Sequence, residues 1–510
     1  MNQSKPIIIS RENPGELGFT EFDTPGELAQ HYAQSIKVKG TPKLSIAILS
    51  YRNINCLKVC IDCVLRFVKD IDFELILMDN ASDDDDETLA LLRSVPYDRK
   101  TVIQMRDNIG RYFSAARGFR TLWNFCSGDY ILHLNDDHYI TENAVQNMIK
   151  ALDSDPSIGM VNPMSSNAML GQNPGLQFTS LEGMFEAGRK YNVYDPRKWH
   201  QRLFVAAVAW MFRSEVKQHL NCANPFGFEF CYDTSLLMAG YKVCLLGDTW
   251  VHHEHDYSVK ETHGWAGDTP EKIIQQEIIE DLAEHLYFGL HWVKDVCVFE
   301  HDLVSLISPD ISQSPSILAI DVKAGQGLLD MKNRLRSMGI FECQSAAFST
   351  QAKYYPYLYH IADTVYVDRI DFIESALIGE EFDCILVGSP INLYPDPIKL
   401  LSVLLHKLSP GGQLLFKVRN VSSVATLMKM IGSSATIDEE MPFTLTEDNV
   451  MTALKRLGYT NVVVAVESHD VLSEDVIKGM VSHLDMRMQD HFMNIAPVRN
   501  FLFSVTEPRE

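Results

Sequence analysis

Residues 129–140 read DYILHLNDDHYI, a short apolar run that stops abruptly at Asn135, Asp136 and Asp137. The run has the length and composition of a strand. Unpaired acids are costly at the end of an apolar strand, so something must pair with them. Adjacent carboxylates there suit a hard divalent cation such as Mg2+ or Mn2+, which takes oxygen ligands and bridges to a substrate's phosphates. The plainer reading of the same residues is a solvated acidic turn.

Working outward from that stretch, LSIAILSY (44–51), FELILMDN (73–80) and TVIQMRD (101–107) are three more short apolar runs. Helical spacing follows them, as in CLKVCIDCVLRF (56–67) and DETLALLRSV (86–95). The alternation predicts a parallel sheet covered by helices, with ligands collecting beyond the carboxyl ends of the strands. The residues at those ends are Ser50, Tyr51, Asp79, Asn80, Asp107, Asn108, Asn135, Asp136 and Asp137. Asp79 closes its strand, where a carboxylate can accept from a nucleobase or a ribose. The acids after it, Asp83 to Glu87, read mostly as caps of the next helix. The segment RDNIGRYFSAARGF (106–119) brings Asn108, Gly110, Arg111 and Arg117 toward the same edge, and Gly110 permits close backbone approach.

The whole chain sets limits on what those acids can do. It has 510 residues, 46% of them apolar, enough for several folded domains and too many for a disordered or fibrous chain. A net charge of -22 repels phosphate backbones, which argues against nucleic acid as a partner. An anionic substrate would need a local neutraliser such as a metal. No run of 18 apolar residues occurs, so no transmembrane segment is expected, and the opening MNQSKPIIISRENPGE lacks the apolar core of a secretory signal. The expectation is a cytoplasmic protein, at most peripheral at the inner membrane face. Among 10 cysteines, Cys56, Cys60 and Cys63 share one face of an apolar helix. They read as reduced core thiols; a zinc site would need a second ligand cluster, which the sequence does not offer.

Residues 1–42 read as an irregular leader, and 270–314 as a helical connector ending in the Ser- and Pro-rich SPDISQSPS. A second βα alternation begins at ILAIDV and runs through FDCILVG and GGQLLFKV to NFLFSV.

The four strand-end segments, in this order and spacing, resemble an inverting, family 2 glycosyltransferase of the GT-A fold over residues 43 to about 256, in a domain expected at 43–269. The resemblance implies that Ser50 and Tyr51 contact the donor nucleotide, with Asn108, Gly110 and Arg117 on the same side, and that Asp79 holds its base or ribose. It places Asn135, Asp136 and Asp137 at the family's metal-binding acidic motif. Asn135 replaces the first carboxylate, so Asp137 is the expected direct ligand of Mn2+ or Mg2+ and Asp136 its support. In FVAAVAWMFRSEV, Trp210 is either a sugar-stacking platform or a core residue. The stretch NPFGFEFCYDTSLLMAGYKVCLLGDTWVHHEH resembles the part that carries the general base: Glu229 stands at the base position, and Asp233 lies one helical turn later. His252, His253 and His255 follow; alignment favours His253 as a metal or diphosphate contact, against the plainer reading of surface histidines. The implied partners are a nucleotide sugar, with a UDP sugar expected, and a glycan or protein acceptor, as in surface polysaccharide synthesis.

Residues 315–510 resemble the doubly wound Rossmann-like fold of S-adenosylmethionine-dependent methyltransferases: ILAIDVKAGQGLL at the first strand and glycine loop, FDCILVGSPINLYPDP at the fourth, LSPGGQLLFKVRN at the fifth. Gly325 and Gly327 remain from the glycine loop, but Lys323 replaces its first glycine. The next strand, FECQSAAF, offers Gln344 and Ser345 in place of a ribose-binding acid. The expectation is a non-catalytic domain serving as scaffold, acceptor-docking surface or homo-oligomer interface. The alternative is a bifunctional enzyme that uses S-adenosylmethionine through Asp321. A non-enzymatic glycan-binding scaffold is a third reading, disfavoured by Asp79, Asp137 and Glu229 together.

Overall fold

Short apolar runs separated by helices build two sheets, described in a computed structural model for residues 7–9, 42–82, 84–105, 115–220, 228–254, 290, 292–423, 445–468 and 497–508. The chain divides into two units, Met1–Trp292 and Val293–Glu510. Residues 293–314, expected in a connector, therefore group with the second unit. Among the described residues no helix is long and apolar enough to cross a membrane.

The strands of the first unit are β1 (Ile7–Ile9), β2 (Leu44–Ser50), β3 (Phe73–Asp79), β4 (Lys100–Met105), β5 (Tyr130–Asn135), β6 (His138–Tyr139), β7 (Ile158–Ser165), β8 (Trp199–Arg202), β9 (Met211–Arg213) and β10 (Lys242–His253). They lie in the order β1-β4-β3-β2-β5-β9-β7-β10-β6, with β8 also paired to β10. The four runs picked from the sequence form the parallel block β4-β3-β2-β5. All seven residues of β3 are buried, as a central parallel strand covered on both faces requires. Helix α1 (Ile54–Phe67) turns Cys56, Leu57, Cys60, Ile61, Cys63 and Val64 into the core, and the three cysteines are free and buried. Helix α2 (Glu87–Ser94) begins beneath the acidic run, where Asp84 accepts the Thr88 N–H at 3.2 Å. The leader is not wholly irregular, because Ile7–Ile9 pairs in parallel with Ile103–Met105. Three residues are too short a run to show a period in sequence. The long helix expected over 270–295 falls largely outside the described residues.

In the second unit, β11 (Ser316–Ile320), β12 (Gln344–Ser349), β13 (Thr364–Val367), β14 (Phe382–Val387), β15 (Leu408–Arg419), β16 (Val462–Ser468) and β17 (Val498–Thr506) lie in the order β13-β12-β11-β14-β15-β17-β16. Among the described strands of this unit, β17 runs antiparallel to both of its neighbours, β15 and β16, and the other pairings are parallel. The order reverses between β11 and β14, which is the switch point of a doubly wound sheet. Both units are thus α/β, and the second has the methyltransferase-like arrangement the sequence suggested.

Candidate functional site

Parallel register aligns the strand ends of the first unit. Ser50 lies opposite Asp79, and Leu49 opposite Asn135, so β2, β3 and β5 stop at one edge. Asp79 is buried; burial raises its carboxyl, and hydrogen bonds from Ser82 work against that rise. Its Oδ1 accepts the Ser82 N–H at 2.9 Å, and the Asn80 N–H donates to the Ser50 carbonyl at 2.8 Å.

Asp136 faces inward under the turn after β2. Its Oδ2 accepts the Tyr51 N–H at 3.0 Å and its Oδ1 the Asn53 amide at 3.4 Å. Burial first, then the neighbouring Asp137, pushes its carboxyl up. The side chain thus staples the Ser50–Tyr51 turn to the end of β5 and spends its lone pairs within the protein.

Asp137 is the carboxylate left for a ligand. The chain reaches it from two sides, because β10 ends in an antiparallel pairing of His253 with His138 in β6. That pairing sets His253 Nε2 3.2 Å from Asp137 Oδ2 and His138 Nε2 3.7 Å from Asp137 Oδ1. Burial would raise the Asp137 carboxyl, but His253 and His138 outweigh it and bring it below the usual range. Asp137, His138 and His253 together offer ligand atoms all within 4.8 Å of one another. Asp137 Oδ1 is buried with no hydrogen bond among the described residues.

His138 was not anticipated, although it directly follows the acidic motif. Its Nδ1 accepts the N–H groups of Asn135 at 3.1 Å and Ala209 at 3.3 Å. An imidazole whose Nδ1 accepts carries its proton on Nε2. His138 therefore turns an N–H, not a lone pair, toward Asp137. Burial holds it neutral, with its pKa lowered to about 3. Asp137 and His253 remain as a carboxylate and imidazole pair, a donor set that fits Mn2+ or Mg2+ with further positions left for water or phosphate oxygens. His252, one residue earlier, points to the other face of the strand, where it contacts Ser166 and Glu254 at 2.8 Å each.

The two base candidates separate. Both stand on the helix Phe228–Met238. Glu229 is half-buried, and desolvation lifts its carboxyl to about 7. Asp233 is buried in the core, its Oδ2 accepting the Val205 N–H at 2.9 Å. Burial raises its carboxyl well above the ordinary range. Its position is that of a brace for the loop after β8. Trp210 is 2% exposed and packs edge-on against Trp123 and Phe119, so it is a core residue and not a stacking platform. Asp107, Asn108, Gly110, Arg111 and His255 lie outside the described residues. Arg117 falls in α3 (Ala115–Trp123), and its side chain is outside them.

Residues 45–220 match the sequence profile of Glycosyl transferase family 2. This part of the chain is a family 2 glycosyltransferase domain. The match covers the whole strand-end cluster from Ser50 to His138 and stops short of Glu229 and His253. Solved structures similar to this chain include GalNAc-T7 with UDP, GalNAc and Mn2+, at 11% identity and a TM-score of 0.35 over 56% of this chain and 60% of that one. They also include a SAM-dependent methyltransferase from Archaeoglobus fulgidus, at 16% identity and 0.31 over 44% and 98%. A third is the plantazolicin methyltransferase BpumL with SAH, at 15% and 0.27 over 48% and 93%. These likenesses are too distant to bear on function. No curated protein matches the chain.

The second unit has its own candidate crevice at the β11/β14 switch point. Asp321 stands there, but its Oδ1 accepts the Thr350 N–H at 2.7 Å and its Oδ2 the Tyr394 hydroxyl at 2.9 Å. Gly325 has φ +111°, and a Cβ on it would run into the Ile361 side chain, so the helix Tyr355–Ile361 already packs against the loop. Residues 294–300 cover the same loop. Asp295 accepts the Ala324 N–H through its carbonyl and the Tyr354 hydroxyl through its carboxylate, and the Lys323 amine donates to the Lys294 carbonyl. Gln344 and Ser345 prove to begin β12, opposite Ser316 and Ile317, because the run FECQSAAF enters the sheet later than its apolar composition suggested. The residues at its carboxyl end, Ser349 and Thr350, bring no acid either. S-adenosylmethionine does not fit this set: the groups that would receive it are engaged by the chain itself.

Proposed function

We propose that the protein is a metal-dependent, inverting glycosyltransferase that moves a sugar from a nucleotide sugar, with UDP sugars first in line, to a glycan or protein acceptor. The catalytic part is assigned to residues 43–269, and residues 315–510 to a non-catalytic methyltransferase-like domain. The observation that supports this reading most is the approach of His253 to Asp137 at the carboxyl edge of a family 2 domain.

Asp137 and His253 would hold Mn2+ or Mg2+, which when bound offsets charge on the leaving nucleoside diphosphate. Ser50, Tyr51 and Asp79 line the nucleotide's side of the edge. Glu229 takes the proton of the acceptor hydroxyl as its oxygen bonds to the anomeric carbon; the bond to the diphosphate oxygen breaks, and its electron pair leaves with the diphosphate. One in-line displacement inverts the anomeric centre. A base whose pKa lies near 7 is half ionised at neutral pH and still basic enough to accept that proton. Asp233 serves the fold, and Asp136 acts through the turn it staples.

Screening nucleotide sugars by thermal shift on the full chain with Mn2+ tests the proposal. One donor class should raise the unfolding temperature, and less so with EDTA; no shift from any donor contradicts it.

A further inference from the structure

The second sheet ends at β13, and among the described residues nothing pairs with the outer edge of that strand. Exposed sheet edges are commonly blunted by Lys, Pro or a bulge, because their outward N–H and C=O groups recruit another strand. The run Thr364-Val365-Tyr366-Val367 carries none of these devices, and it pairs with β12 in unbroken register. Of the twelve exposed large apolar side chains among the described residues, five lie on β13 or on the segments that enter and leave it: Tyr355, Tyr359, Val367, Phe372 and Ile378. The chain runs outward from β12 to β13 and then back across the sheet to β14. Right-handed crossovers therefore put the helix Tyr355–Ile361 on one face and the helix Ile373–Ala376 on the other. The apolar exposure thus flanks the edge on both faces.

Hydrogen-bond parity fixes which residues of β13 turn outward. Phe348 in β12 turns its carbonyl to β11, where it accepts the Asp321 N–H at 2.9 Å, so its neighbours in β12 turn theirs to β13. The Ser349 carbonyl accordingly accepts the Asp368 N–H at 3.2 Å. Tyr366 and Asp368 therefore face β12, and Val365 and Val367 turn their N–H and C=O groups to the outside.

We infer that two copies of this chain join edge to edge through β13, antiparallel about a two-fold axis at Tyr366. Outward residues must bond outward residues, so each Val365 exchanges N–H···O bonds with the partner's Val367, and the two Tyr366 side chains face each other. This register sets Asp363 of each copy opposite the partner's Arg369, both exposed. A shift of the register by two residues in one direction sets Asp363 against the partner's Asp371, and in the other it leaves both charges unmatched. An axis perpendicular to the sheet keeps each face with its counterpart, so the apolar side chains of the two copies lie side by side. Charge complementarity under that two-fold selects a second copy of this chain over an unrelated strand.

The test is size-exclusion chromatography with light scattering on the full chain at about 10 µM. The wild type should be a dimer; a monomer leaves the edge to another segment or another protein and overturns the inference. Val367→Pro removes an N–H that β12 does not use, so it should give a folded monomer, and a folded dimer overturns the inference. Arg369→Glu makes both end contacts repulsive and should weaken the dimer about 3- to 10-fold; an unchanged dimer overturns the register. Should Val367→Pro fail to fold, cysteine cross-linking decides. Opposed residues of a non-hydrogen-bonded pair bring their Cα atoms within disulfide reach, so Tyr366→Cys should form a disulfide-linked dimer on mild oxidation, above the wild-type background. Thr364→Cys, displaced from the axis, should not. Equal cross-linking in both variants, or none in Tyr366→Cys, overturns the inference.

Discussion

His253 faces His138 across the antiparallel pairing of β10 with β6, and this alone brings its Nε2 atom within 3.2 Å of Asp137. His253→Ala should therefore lose Mn2+ affinity outright as a ligand would. His138→Ala should lose about 10- to 100-fold, the usual cost of removing a group that orients a ligand. Electron paramagnetic resonance of bound Mn2+ reads both, and equal, unaltered affinities would remove the pair from the site.

Glu229→Gln should lower turnover about 10²- to 10⁴-fold while nucleotide binding holds. The base works only when ionised, and burial lifts its pKa to about 7, so wild-type turnover should fall as pH drops below about 7. A rate profile flat from pH 8 to pH 5 would dismiss Glu229 as the base.

Asp233→Ala should act on folding rather than chemistry. It leaves the Val205 N–H buried without an acceptor, at about 1–3 kcal/mol. Asp233→Asn keeps an acceptor and should retain most of both stability and turnover. Urea unfolding with parallel rate measurements separates the two carboxyls; a stable but inactive Asp233→Asn would make Asp233 the base instead.

In the second unit the Lys417 amine lies 2.6 Å from Glu300 Oε1; Glu300 is buried and Lys417 half-buried. Desolvation lifts the Glu300 carboxyl to about 7 from an ordinary 4.5 even with Lys417 beside it. The folded state then holds more protons than the unfolded one between those values, so this group lowers stability as pH rises through 4.5 to 7. Lys417→Met strands the carboxylate and should cost about 3–5 kcal/mol at pH 8, less at pH 5 where Glu300 protonates. Chemical unfolding at the two pH values checks the sign.

Calorimetry of the full chain with S-adenosylmethionine should give no binding heat, because Asp321, Ala324 and Gly325 are already occupied by Thr350, Tyr394, Asp295 and Ile361. Measurable binding would return the domain to the methyltransferases.

Both sheets were legible because their strands are continuous apolar runs between helices, and the strand ends Ser50, Asp79 and Asn135 fall where those runs stop. Local sequence could not show that Asp136 faces the turn after β2 while Asp137 faces the site, since neighbouring acids look alike until their partners are known. It could not show His138 as an oriented donor, because its partners include the Ala209 N–H, distant in the chain. Trp210 and Asp233 were ambiguous for the same reason: burial decides between platform and core, and between base and brace. The start of β12 was misread because an apolar segment carries no mark of where it enters its sheet.

Metal-dependent sugar transfer at Asp137 is tested most directly by nucleoside diphosphate release from the active nucleotide sugar, measured with Mn2+, with EDTA and in Asp137→Ala. Release is expected with Mn2+, none above background with EDTA, and less than about one hundredth of the wild-type rate in the variant. Full turnover in Asp137→Ala, or in EDTA, would contradict it.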